Sequence, residues 1–182
     1  MSERTTLRNG NPLSVVQGKA VQWTAYGLLL LAAFFLQSAP HALEIAGAKP
    51  LLFVPLTVAI GLLTGPVGGG AAGAAAGFLW DIYADRLPGF HGLFLLIVGC
   101  VCGLLVVLLM RNNLLTATLL CAAALVLQVL YDWGLRYCLF GGDRPFAALW
   151  GTYLPCALYT LLVSPLLYLL TLAVARFVQR HD

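Results

Sequence analysis

At 182 residues, 61% hydrophobic and only 9% charged, with a mean hydropathy of +0.92, the chain does not fit an ordinary soluble domain, which carries roughly 25% charged residues. It is short for two domains, and an apolar chain of this kind must satisfy its backbone internally, which points to an all-α integral membrane protein, a single bundle of about six transmembrane helices. The net charge of +3 comes without a basic run, so nucleic-acid binding has no support.

Residues 1–20 are polar, with Arg4, Arg8 and Lys19, and read as a cytoplasmic tail. Residues 21–39 form the first apolar run. Small residues follow it at Ser38, Ala39 and Ala42, as after a signal peptide, but the run is long for a signal core and reads as a retained anchor. The second run, residues 51–63, is short and opens after Pro50. Thr64-Gly65-Pro66-Val67-Gly68 then predicts a tight turn. A glycine-rich helix follows over residues 69–83. Both arms fall below the ~20 residues of an ordinary span, so this hairpin either crosses as a shortened, tilted pair or is re-entrant.

The fourth run, residues 90–109, is long enough to span. Arg111-Asn112-Asn113 marks a polar turn, and a fifth helix runs over residues 114–130 to Tyr131-Asp132-Trp133. Gly141-Gly142-Asp143-Arg144-Pro145 is a loop, and a long sixth helix from Ala148 to Val174 contains Pro155 and Pro165, which predict kinks. The membrane bundle thus covers residues 21–175, with a short cytoplasmic tail at 176–182. Six spans put both termini on one side. With the termini cytoplasmic, six Lys and Arg lie inside and four outside, which favours that orientation. Trp80, Tyr83, Tyr131, Trp133, Tyr137, Trp150 and Tyr153 then predict an outer aromatic belt, with Trp23 and Tyr26 anchoring the inner end of the first helix.

Glycines 69, 73 and 77 recur every fourth residue, and Asp81 and Asp85 continue the spacing. Four residues is slightly more than one helical turn, so these positions form a drifting stripe on one side of a helix. In water such glycine density discourages a helix; in a bilayer it lets neighbouring helices approach closely. Gly99 and Gly103 repeat the spacing on the next helix. Packing of Gly69, Gly73 and Gly77 against Gly99 and Gly103 is the internal reading, since consecutive helices tend to be neighbours; a foreign helix against the same stripe would look identical from sequence.

Candidate polar residues gather at the acidic end. Asp81 and Asp85 lie on nearby faces and could share a cation or receive an arginine; the plainer alternative is a solvated helix end. Asp132 and Arg136 read as a local i, i+4 ion pair, and their position allows a small polar outer cluster with Asp81. The five cysteines suggest no scaffold: Cys100, Cys102, Cys121 and Cys156 lie in apolar runs and Cys138 near a helix end, where cysteine behaves as a small apolar residue. No metal-binding or cofactor-binding set is expected. His41, His91 and His181 all fall at expected loops or the tail, Ser38 and Ser164 have no evident base, and no glycine loop precedes a lysine, so catalysis is not expected either.

The central region, Gly69-x3-Gly73-x3-Gly77-Phe78-x-x-Asp81, then Pro88-Gly89-Phe90-His91-Gly92-Leu93, then Gly99-x3-Gly103, resembles the rod shape-determining protein MreD family of bacteria. Ser164-Pro165-Leu166-Leu167-Tyr168 in the last helix is also similar. The resemblance implies a non-enzymatic membrane scaffold of the cell-wall elongation machinery in the bacterial inner membrane. Such a protein acts beside MreC, a bitopic periplasmic scaffold, and indirectly beside MreB, RodA and a class B penicillin-binding transpeptidase. It implies no catalytic residue and no cofactor, and membrane lipid as surroundings. MreD-like folds are in turn similar to the S components of energy-coupling-factor vitamin transporters, the alternative function. Those often dock through an Ala-x3-Ala pair in the first helix, which Trp23 to Ala33 does not contain.

Overall fold

The computed structural model describes residues 12–39, 48–84, 89–108, 113–136 and 149–179, and these are helical apart from short connections. The helices are α1 (Pro12–Ser38), α2 (Phe53–Ala84), α3 (Phe90–Leu108), α4 (Leu114–Gly134) and α5 (Leu154–Gln179), the last entered through a π-helical turn at Leu149–Tyr153. Among the described residues, five helices are long and apolar enough to cross a membrane by length and composition. Expectations for residues 1–11, His41, residues 85–88, the Arg111 turn, Tyr137, Cys138, the 141–145 loop and the chain beyond Gln179 lie outside the described residues.

The first helix starts earlier than expected, at Pro12 rather than near Val21. Hydropathy marks where apolar residues begin, but a helix once nucleated propagates cheaply through polar ones, and no proline follows Pro12 to stop it. Its core face is the stripe Tyr26, Leu30, Ala33 and Gln37. Tyr26 is therefore a core residue hydrogen-bonded to Gln22, not the interface anchor expected from sequence.

Helix α2 is folded in two at Gly65, whose φ is +82°, a conformation open to glycine at little cost. Gly61 and Gly69 reveal how sharply. A Cβ built on Gly69 would lie 2.7 Å from the Gly61 Cα, whereas eight residues of continuous helix span about 12 Å. The legs, α2a (residues 53–64) and α2b (residues 66–84), thus lie back to back. Every residue from 52 to 62 is buried, so α2a is the centre of the bundle. An all-round apolar helix is stable only in such a place.

The chain enters α2a through an unpaired stretch whose amides need partners in a dry interior. Side chains of two other helices supply them. The Leu51 amide donates to Thr160 Oγ1 of α5 at 2.8 Å, and the Leu52 amide to Gln37 Oε1 of α1 at 3.3 Å. A similar repair operates at Pro165. Proline has no N–H for the Leu161 carbonyl, and the Ser164 hydroxyl donates to that oxygen instead, at 2.8 Å.

Candidate functional site

The α2b–α3 contact is built from backbone. A Cβ on Gly73 would collide with the Leu95 carbonyl, one on Gly77 with the His91–Gly92 backbone, and one on Gly99 with the Gly69 carbonyl; Gly103 abuts Gly65 and Pro66. Each step of four along α2b meets a step of four back along α3, which makes the pair antiparallel. The expected stripe residues Gly69, Gly73, Gly77, Gly99 and Gly103 all stand in this seam. Gly61, from α2a, joins them: a Cβ built on it would lie 2.9 Å from the Gly99 carbonyl oxygen. Gly61 keeps the four-residue spacing through Gly65 to Gly69 but stands before the turn, so spacing along one helix does not place it in the seam.

The seam has a chemical consequence one turn further on. With Gly77 against Gly92, Asp81 reaches the start of α3, whose first amides have no partner within the helix. Its carboxylate accepts from the backbone N–H of Gly89 at 2.8 Å, of His91 at 3.1 Å and of Gly92 at 3.4 Å. Asp81 is thus an N-terminal cap for α3 supplied by the preceding helix, its charge matched to the helix dipole. Gly89, at φ +99°, makes the turn that aims these amides at it.

His91 completes the arrangement. It is 1% exposed, and its ring stacks on Trp80 with centroids 4.6 Å apart and planes 11° from parallel. Nδ1 lies 2.7 Å from Asp81 Oδ1, and Nε2 lies 3.0 Å from Asp132 Oδ1. The Gln128 amide, one turn earlier on α4, donates to Asp132 Oδ2 at 2.9 Å. The Tyr131 hydroxyl donates to the Phe90 carbonyl at 3.1 Å, and its ring stacks on Phe94. The result is a buried polar line, Asp81–His91–Asp132–Gln128, joining α2, α3 and α4.

Several sequence expectations change here. His91 is no loop residue; it sits in the first turn of α3 and links two of the candidate acids. Trp80, expected in the aromatic belt, is 6% exposed, because it covers His91 and the Phe53 ring. Asp132 turns inward to His91, and Arg136 is exposed at the helix end. Asp85 lies outside the described residues. Gln128 was not singled out, although one amide within an otherwise apolar run is itself a signal in a membrane helix.

The cluster is not arranged to hold one metal ion. The two nitrogens of an imidazole point apart, so carboxylates on opposite sides of His91 do not converge. Both ring nitrogens are occupied by carboxylates, which leaves none free as a base toward a substrate. What the geometry does is fasten three helices at one end of the bundle.

Comparison with known proteins gives one match. Residues 17–178, nearly the whole chain, match the family described as rod shape-determining protein MreD. No curated protein and no solved structure matches the chain.

Proposed function

The chain belongs to the rod shape-determining protein MreD family, and we propose on that premise that it is a non-enzymatic scaffold subunit of the bacterial cell-wall elongation machinery. Family membership carries a role in rod shape and a place in a membrane. The finer reading is association with a bitopic MreC-like protein, and through it with MreB, RodA and a class B penicillin-binding transpeptidase. The protein sits in the inner membrane with both termini cytoplasmic. We count six crossings: about 18 Å of helix in α2a plus about 13 Å of extended chain leading into it match a hydrocarbon core of ~30 Å.

The observation that carries the scaffold reading, beyond the family, is the filled centre of the bundle. A substrate-binding subunit would hold its ligand in a concave site among the helices. Here that position is taken by α2a, with Phe53, Thr57 and Ile60 completely buried. This supports a protein that presents surfaces over one that encloses a vitamin.

The test is affinity purification of the tagged protein from its own membranes in mild detergent, with mass spectrometry of proteins and small molecules. Stoichiometric recovery of a single-span protein with a large periplasmic domain is the expected result. Recovery of an ATPase pair with a coupling subunit, or of a bound vitamin, would overturn the proposal in favour of transport.

A further inference from the structure

The polar line Asp81–His91–Asp132 has a proton count set by its geometry. Each ring nitrogen of His91 faces a carboxylate oxygen, at 2.7 Å and 3.0 Å, and two acceptors at such distances need a proton between them. Either an imidazolium lies between two carboxylates, or a neutral imidazole lies between one carboxylate and one carboxylic acid. Both arrangements hold two protons among three groups and carry a net charge of −1. Remove one proton and a nitrogen lone pair confronts a carboxylate lone pair.

The three groups would not respond equally. Asp81 is held by three backbone amides besides His91, and its side chain is 2% exposed. Asp132 sits on α4 with its side chain 13% exposed, and Gln128, which donates to it, rides on the same helix. α4 packs mainly on α5 and α2; among the described residues its ties to α3 include the His91–Asp132 contact and Tyr131 against Phe90 and Phe94. Among the described residues, the titratable or charged groups facing His91 are Asp81 from α2 and Asp132 from α4, with the Tyr131 phenol one residue away. Among the described residues, α1 and α5 add no ion pair or hydrogen bond to it.

We infer that Asp81–His91–Asp132 is a proton-sensitive clasp between α4 and the α2–α3 pair, closed while the three groups share two protons and released at Asp132 when one proton passes to water. Loss of that proton leaves the His91–Asp81 hydrogen bond in place, because Asp81 is fixed by backbone. The repulsion then falls on the Nε2–Asp132 contact, and the end of α4 moves away from α3. The inference does not depend on which partner the protein binds.

Trp80 provides the readout, since it stacks directly on the ring. The full-length chain carrying Trp23→Phe, Trp133→Phe and Trp150→Phe, reconstituted in lipid nanodiscs, is followed by fluorescence over about pH 5 to pH 10. The expected result is one single-proton transition in Trp80 emission, with a parallel rise in quenching by acrylamide on the alkaline side as the clasp opens. His91→Gln should abolish both. A flat profile overturns the inference, as does a transition that persists in His91→Gln, or an emission change without a change in quenching. If His91→Gln does not fold, imidazole nitrogen NMR of the unmutated chain decides the matter. A change in His91 protonation that coincides with the quenching transition supports the clasp, and an unchanging ring across that range overturns it.

Discussion

The α2b–α3 seam and the attachment of α4 are two solutions to one problem, holding helices together where lipid is as apolar as the side chains. The seam removes side chains altogether, so that Gly69, Gly73 and Gly77 lie on the backbone of α3. α4 keeps small residues at Ala117, Cys121 and Ala124 but finishes its contact with a hydrogen-bonded carboxylate, Asp132 on His91. The first kind of joint tolerates no added atom and has nothing to titrate. The second tolerates rearrangement and depends on proton placement. One end of the same hairpin therefore combines a rigid pair with a chemically fastened third helix.

The sharpest way to break this comparison is to add a side chain to the seam. Gly73→Leu should cost about 4 kcal/mol or more, because its branch would occupy the Leu95 carbonyl; the yield of monodisperse protein in detergent should collapse. Normal yield would mean that α2b and α3 separate easily, and the contrast with α4 would fail. Asp81→Ala comes next. It leaves three amides at the start of α3, those of Gly89, His91 and Gly92, without their acceptor and His91 without one carboxylate, a loss of about 3 kcal/mol, measured as a lowered midpoint of thermal unfolding in detergent. Its effect should exceed that of Asp132→Ala, since Asp81 serves both joints and Asp132 only one.

Ser164→Ala tests a smaller device. The Leu161 carbonyl beside Pro165 would lose its donor, at a cost of about 1 kcal/mol, read in the same unfolding assay. Gly27→Ala is the control for the seam. Nothing lies within 4 Å of a Cβ at Gly27, and the helix gains propensity, so stability should change by less than about 1 kcal/mol and in the favourable direction. A large loss there would show that glycine helices in this protein fail for reasons other than contact.

Much of the fold was legible because hydropathy and turn chemistry are local properties. The Thr64-Gly65-Pro66 reversal announced itself through residues that cannot continue a helix smoothly, and the helix α3 was visible as an apolar run with glycines on one face. The start of α1 was not legible, because helix continuation through residues 12–20 leaves no hydropathy trace. The site was half legible. Asp81 stood out as an acid at the end of a glycine stripe, but its role as a cap for α3 needed the register of the seam. Arg136 drew attention through its i+4 spacing from Asp132, yet that pairing competes with a buried partner 41 residues away, which spacing does not encode.

By itself the sequence determined that this chain lies in a membrane, where its glycine-rich hairpin turns and which family it resembles, all from apolar runs, turn residues and the placement of glycine. Only the tertiary structure decided that α2a fills the centre of the bundle, that Trp80 and Tyr26 are core residues, and that His91 joins Asp81 to Asp132. The physical reason is common to all three. Burial and hydrogen-bond pairing depend on how whole helices sit against one another, and the antiparallel glycine seam fixes that register in space rather than along the chain.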